Sequence, residues 1–334
     1  MINRSNSKQI IKLCIITIII AITSIISISI FYSYKNNVEL DNSFSIQNVL
    51  NGTGFDTLWK HGFKGQNVTI AVIDTGVFLH KDIESSVICF KDLVNNKIQP
   101  YDDNGHGTEI CGIIAGSGCK SRGKYCGVAS KAQLVVIKAL DKDGICNMFM
   151  LQDALNWIIE NRHKYKIKLI CMSLGYKCTG DYRNDPLYGL INKVKENGIL
   201  VVSSCGNNGN EKFITLPGDL PNVISVGSVD YIPNKASIQD RYKISNYTNL
   251  NSNTKYSKKP DLLAPGTNLI TICPDIKKDN ILKNYISVSG TSYSAAIIIG
   301  EIAVFWSKYY YLNSSQIKQG IFSLETTPLL LYKN

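Results

Sequence analysis

Between residues 68 and 229 short apolar runs alternate with amphipathic ones, and that alternation leaves few architectures open. The runs "VTIAVID" (68–74), "AQLVVIKAL" (132–140), "KLICMSL" (168–174), "ILVVSSC" (199–205) and "NVISVGSV" (222–229) read as strands. They are apolar along most of their length, so both faces of their sheet must be covered. "HGTEICGIIAG" (106–116), "NMFMLQDALNWIIENRHKY" (147–165) and "PLYGLINKVKENG" (186–198) read as helices. A last helix starts within "SGTSYSAAIIIG" (289–300) and runs to about residue 310. Strands alternating with helices predict an α/β fold, a mainly parallel sheet between helical layers. In such folds functional groups collect at the carboxyl ends of strands.

The chain has 334 residues, 44% hydrophobic and 19% charged, enough for one large domain or two small ones. Residues 13–32 carry no charge over a length that can cross a bilayer. Arg4, Lys8 and Lys12 precede them and Glu39 and Asp41 follow, which predicts a cytoplasmic N-terminus. With no small-x-small cleavage site after it, the segment reads as an anchor, with a cleaved signal as the alternative. The expected organisation is a tail (1–12), a transmembrane helix (13–32), a linker (33–48) and one domain (49–334). The net charge of +10 comes partly from residues 234–260, where six Lys/Arg face one Asp. That run reads as a solvated insertion, or as a patch for anionic polymers or acidic peptides. No nucleic-acid-binding motif appears.

Of ten cysteines, Cys14 lies in the apolar segment, leaving an odd nine. Cys111, Cys171 and Cys205 sit in apolar contexts and read as small buried hydrophobes. Cys119 and Cys126 flank a short loop and are the best disulfide candidate, with Cys146 and Cys178 second. No spacing suggests a zinc site, and no metal ligand is assigned.

Four residues then stand out by position. Asp74 ends a strand run, where a carboxylate can orient another side chain or merely shape a turn. His106 opens a helix whose positive end should disfavour imidazolium and keep a neutral base, with glycines on both sides leaving its face open. Asn207, in "SSCGNNGN", follows a strand run and is either a turn residue or an amide donor to an oxyanion. Ser292 lies at a helix start, as a cap or as a nucleophile whose proton a histidine takes.

In the order Asp74, His106, Asn207, Ser292, with "AVIDTGV", "NGHGTEICGIIAG", "SLG", "CGNNG" and "SGTSYSAA" around them, the chain resembles the subtilisin-like serine proteases over about residues 49–325. The resemblance implies a subtilisin-like three-layer αβα domain that hydrolyses peptide bonds. Ser292 would attack the carbonyl, His106 shuttle the proton and Asp74 fix the imidazole tautomer. Asn207 and the Ser292 N–H would hold the oxyanion. "KDGIC" (142–146), with Gly144, and Ser173, Leu174 and Gly175 would pair with the substrate backbone. Thr215 would help form the base of the first side-chain pocket, with Asp141 and Asp143 biasing nearby subsites toward basic residues.

The chain departs from the family pattern in three places. Tyr293 follows the serine and Ala296 takes the place of a proline, so the helix start is expected to shift. The loop at residues 116–127, which binds calcium tightly in many relatives, has no carboxylate here, and a Cys119–Cys126 clip is expected to fix it instead. Between the apolar segment and the first strand there is no room for a long folding propeptide, which implies unaided folding or a separate helper. The expected protein is a monomeric, cell-surface serine endopeptidase for processing or degradation, membrane-anchored, or secreted if the apolar segment is cleaved. It needs no cofactor, although a weak calcium site without assigned ligands is allowed. The alternative is a catalytically silent relative that binds peptides or partners.

Overall fold

The computed structural model describes residues 43–51, 53–178, 180–209, 213–237, 239–252, 259–274, 284–323 and 330–331. The apolar segment 13–32 lies outside the described residues. Among those described, no helix is long and apolar enough to cross a membrane. The chain divides into two compact units, Met1–Ser43 and Phe44–Asn334. The second holds every element that follows.

In chain order its elements are α1 (Ile46–Val49), α2 (Phe55–Lys60), β1 (Thr69–Asp74), β2 (Val87–Asp92), α3 (His106–Ala115), β3 (Gln133–Lys138), α4 (Met148–Tyr165), β4 (Ile167–Met172), α5 (Pro186–Glu196), β5 (Leu200–Ser204), β6 (Val223–Tyr231), β7 (Tyr242–Ile244), β8 (Leu262–Pro265), β9 (Leu269–Ile272), β10 (Tyr285–Val288), α6 (Thr291–Lys308), α7 (Ser314–Ser323) and β11 (Leu330–Leu331). Each expected strand and helix run between 68 and 229 coincides with one of these to within two residues at either end.

The main sheet runs β11-β8-β6-β5-β4-β1-β3-β2, with β7 beside β6. From β2 to β8 every pairing along it is parallel, while β7 and β11 add antiparallel edges. β9 and β10 form a separate antiparallel pair. All six residues of β1 are buried because helices cover both sides. On one face Ala71, Ile73, Val135, Ile137 and Ile170 pack with Leu151, Leu155 and Ile158 of α4 and Ile191 and Val194 of α5. On the other, α6 packs against β4, β5, β6 and β8, and α3 against β1 and α6. β1 lies between β3 and β4, although β2 follows it in the chain. That reversal of strand order opens a crevice at the carboxyl ends of β1 and β4.

The structure corrects four expectations. The compact unit starts at Phe44, whose N–H donates to Asn268 O and whose O accepts from Ile270. Residues 44–48 are therefore domain and not linker: Ser45 caps α1, which buries Ile46 and Val49. No disulfide forms. Cys119 and Cys126 are thiols, as are Cys146 and Cys178. Cys119 Sγ donates to Lys81 O at 3.5 Å and Cys126 Sγ to Ser117 O at 3.2 Å, so each sulfur is turned to a different carbonyl. The loop is held instead by main-chain bonds from Ser121 and Gly123 to Gly118 O. Last, the basic insertion is not wholly solvated. Tyr242, Ser245, Thr248, Asn249 and Lys259 are buried, and Lys259 Nζ donates to Val223 O.

Candidate active site

Asp74 is the last residue of β1 and is fully buried. Its Oδ1 accepts from the Thr75 N–H at 2.7 Å and from His106 Nδ1 at 2.8 Å. Because a carboxylate only accepts, Nδ1 carries the hydrogen and Nε2 is the lone-pair nitrogen of the neutral ring.

His106 is the first residue of α3, and its imidazole is one quarter exposed. The helix start is crowded with acceptors. Asp102 Oδ1 accepts from the Gly105 N–H and Thr75 Oγ1, and Asp102 Oδ2 from the N–H and Oγ1 of Thr108. Asn104 Oδ1 accepts from the His106 N–H. The positive helix end is thereby compensated, and the expectation of a depressed histidine is overturned. Burial lowers the imidazole, but the charge and hydrogen bond of Asp74 outweigh it, aided by Glu109 and Asp102, and raise it to about 9. The neighbouring glycines serve close approach. A Cβ at Gly107 would stand 2.2 Å from Gly76 O, and Gly76 itself has φ +122°. With both as glycine, α3 can press its first turn onto the turn that follows β1.

Ser292 is the second residue of α6, and Gly290 occupies the cap position without a side-chain bond, so the serine is not the helix cap. The helix starts at Thr291, with Tyr293 and Ala296 accommodated inside it. Ser292 Oγ donates to Ser173 O at 3.2 Å, while Ser173 Oγ donates to Ser292 O at 3.1 Å. The nucleophile candidate is thus fastened to the segment leaving β4.

Asn207 lies past β5, exposed, on a loop that the basic insertion secures. Asn249 Oδ1 accepts from the Asn208 N–H, and Tyr247 O accepts from the Gly209 N–H. Asn207 Oδ1 accepts from both the N–H and Oγ1 of Thr291 at 2.8 Å. The main-chain N–H can only donate, which fixes the amide orientation and leaves Nδ2 as the outward donor.

A cleft of about 550 Å³ runs from His106 between the loop after β3 and the segment after β4. Its walls include Gly144, Cys146 and Met148 on one side and Ser173, Leu174, Gly175 and Tyr176 on the other, with Leu140 and Leu151 between. Thr215 stands behind one wall, where a Cβ on Gly175 would meet Thr215 Oγ1 at 2.2 Å. Asp141 does not line the cleft. Its Oδ1 accepts from the Asp143 and Ile145 N–H groups, bonds that hold its carboxyl low, and exposed Asp143 pairs with Lys142. Both carboxylates stand outside the lining of the cleft.

Several residues that shape this site drew no notice in the sequence. Thr75, Asp102 and Thr291 are bonded as described, and Asp102 sits in what reads as an ordinary turn. Fully buried Lys138 donates to Thr75 O, Leu140 O and Asp103 Oδ1, tying the loops after β1 and β3 together. Its only sequence signal is a lysine inside an apolar strand run. Among the described residues no cluster of His, Cys, Asp and Glu could hold a metal ion.

The structure joins His106 to Asp74 and Thr291 to Asn207, while the Ser292 hydroxyl bonds Ser173 O and not the imidazole. Residues 65–325 match the subtilase family. The chain belongs to that family of serine peptidases. It is 34% identical over 272 residues to the serine protease AprX of Bacillus subtilis (strain 168), a match covering 76% of this chain and 60% of AprX. It is 28% identical over 275 residues to subtilisin DY of Bacillus licheniformis, covering 81% and 88% of the two chains. The solved structure of Sphericase superposes with a TM-score of 0.66 at 23% identity, over 83% of this chain and 90% of that one, a likeness of fold.

Proposed function

We propose that the chain is a serine endopeptidase held at the outer face of a membrane by residues 13–32. The carrying observation is the 2.8 Å contact between His106 Nδ1 and Asp74 Oδ1, with Ser292 in the first turn of α6 and Asn207 on the loop after β5. Ser292 Oγ leaves the Ser173 carbonyl, attacks the peptide carbon and gives its proton to His106 Nε2. Asp74 holds the resulting imidazolium. The oxyanion accepts from Asn207 Nδ2 and the Ser292 N–H, and His106 then protonates the departing amine. Water repeats the sequence on the acyl-enzyme and frees the second product. The extended segments around Gly144 and Ser173–Gly175 pair with the substrate backbone, and the apolar cleft between them takes an apolar side chain. The charge order around residues 13–32 supports the tether.

The test is hydrolysis of a mixed peptide library by the full chain beside Ser292→Ala, with labelling by a serine-directed phosphonate. Cleavage and labelling that both vanish in Ser292→Ala support the reading. A folded wild-type chain that neither cleaves nor labels makes it a peptide-binding relative without catalysis. Recovery of the full chain in the soluble fraction would refute the tether.

A further inference from the structure

The residue after the nucleophile, Tyr293, does not fill space passively. It is buried, and its hydroxyl donates to Glu109 Oε2 at 2.7 Å. Its ring lies against His106, with centroids 5.7 Å apart and planes tilted by 53°. Glu109 is in the first turn of α3, three residues after His106, and so on the same side of the helix. One phenol therefore joins the turn that carries the base to the turn that carries the nucleophile, while walling one side of the imidazole.

We propose that Tyr293 and Glu109 form a positioning pair that holds His106 and Ser292 in register and supports the imidazolium formed during the reaction. This rests on the proposed protease reading. The geometry specifies each part. Tyr293 starts from the peptide next to Ser292, so a fixed phenol fixes the first turn of α6. Glu109 would be costly to bury alone, and the phenol supplies its donor. Burial pushes the Glu109 carboxyl up, and the Tyr293 bond and the His106 charge pull it back toward the ionised state. Burial and Glu109 both raise the phenol, which keeps it a donor. The charged and titratable groups acting on His106 are Asp74 on β1, Asp102 before α3, Glu109 on α3 and, by ring contact, Tyr293 on α6. Of these, only Tyr293 comes from α6, and it is bonded to Glu109.

The experiment uses the full chain in detergent and compares wild type, Tyr293→Phe, Glu109→Gln and the double variant, each checked for its thermal midpoint. Three quantities are read: the His106 titration midpoint by NMR of labelled histidine, the rate of phosphonate labelling of Ser292, and kcat and KM on a cleaved peptide. We expect Glu109→Gln to lower the His106 midpoint by about half a pH unit through loss of a nearby negative charge. Each single variant should slow labelling and kcat about fivefold with KM unchanged. The double variant should be no slower than the worse single one, because both break the same link. An unmoved midpoint in Glu109→Gln, wild-type rates in either single variant, or effects that multiply in the double would overturn the pair. The titration needs no turnover, so it decides the pair even for a wild-type chain that neither cleaves nor labels, an outcome that removes the protease reading alone. Tyr293→Phe removes one oxygen and Glu109→Gln keeps the side-chain shape, so if one unfolds the other still carries the comparison.

Discussion

Glu301 sits in the middle of α6, where every residue from Tyr293 to Trp306 is buried. It is 2% exposed, its Oε1 has no hydrogen-bond partner, and no cation pairs with it among the described residues. Burial alone raises its carboxyl well above the ordinary 4.5, so the folded chain keeps the proton after the unfolded chain has lost it. The sign follows from proton counting. In that window the native state binds one more proton, and stability falls by about 1.4 kcal/mol per pH unit. Below the unfolded value this loss is absent. Replacing Glu301 with Met removes the titration and keeps the volume. Wild type should therefore lose about 1.4 kcal/mol relative to Glu301→Met between pH 5 and pH 6. To this is added a pH-independent gain of about 1–3 kcal/mol for removing the unpaired oxygen. Glu301→Gln should show the same change in slope without the full offset, since it keeps a buried polar group. The assay is urea unfolding followed by tryptophan fluorescence at pH 5, 6 and 7. Parallel pH profiles for wild type and Glu301→Met would refute the reasoning, as would a Met variant less stable at every pH.

Four further outcomes rest on the structure. Because Asp74 raises His106 to about 9, the neutral base accumulates only as pH rises, so kcat/KM should climb with a midpoint near that value, and Asp74→Asn should move the midpoint down. The same shift stabilises the fold below pH 6.5 and is lost as pH passes through the folded value, which a pH series of unfolding curves reads directly. Thr291→Val removes one of the two donors that orient Asn207 and should reduce kcat about fivefold at constant KM, with Thr291→Ser restoring it; equal kcat in all three would contradict the role of Thr291. Cys119→Ser with Cys126→Ser should leave the unfolding free energy within about 1 kcal/mol of wild type, and a reducing agent should not alter it, since no bond joins the two sulfurs.

Local pattern carried much of the information about this chain. Strand runs such as 68–74 and helix runs such as 147–165 announce themselves because burial on both faces or on one face dictates period and composition. Asp74, His106, Asn207 and Ser292 were legible because each follows a strand run or opens a helix beside small residues. What depends on two distant segments meeting was not legible. The short strands β8 to β11 carry too little sequence for a period. The burial of Lys138, Asn249 and Lys259 looks improbable until their carbonyl and carboxylate partners arrive from other elements. The expected Cys119–Cys126 bond came from spacing along the chain, whereas sulfur pairing depends on where the two side chains point. The charge state of His106 shows the division most directly. The residue at a helix start predicts a depressed imidazole. Asp102 caps that start from three residues before Gly105, but only the tertiary fold brings Asp74 to Nδ1, and electrostatic energy depends on that through-space distance, which reverses the sign.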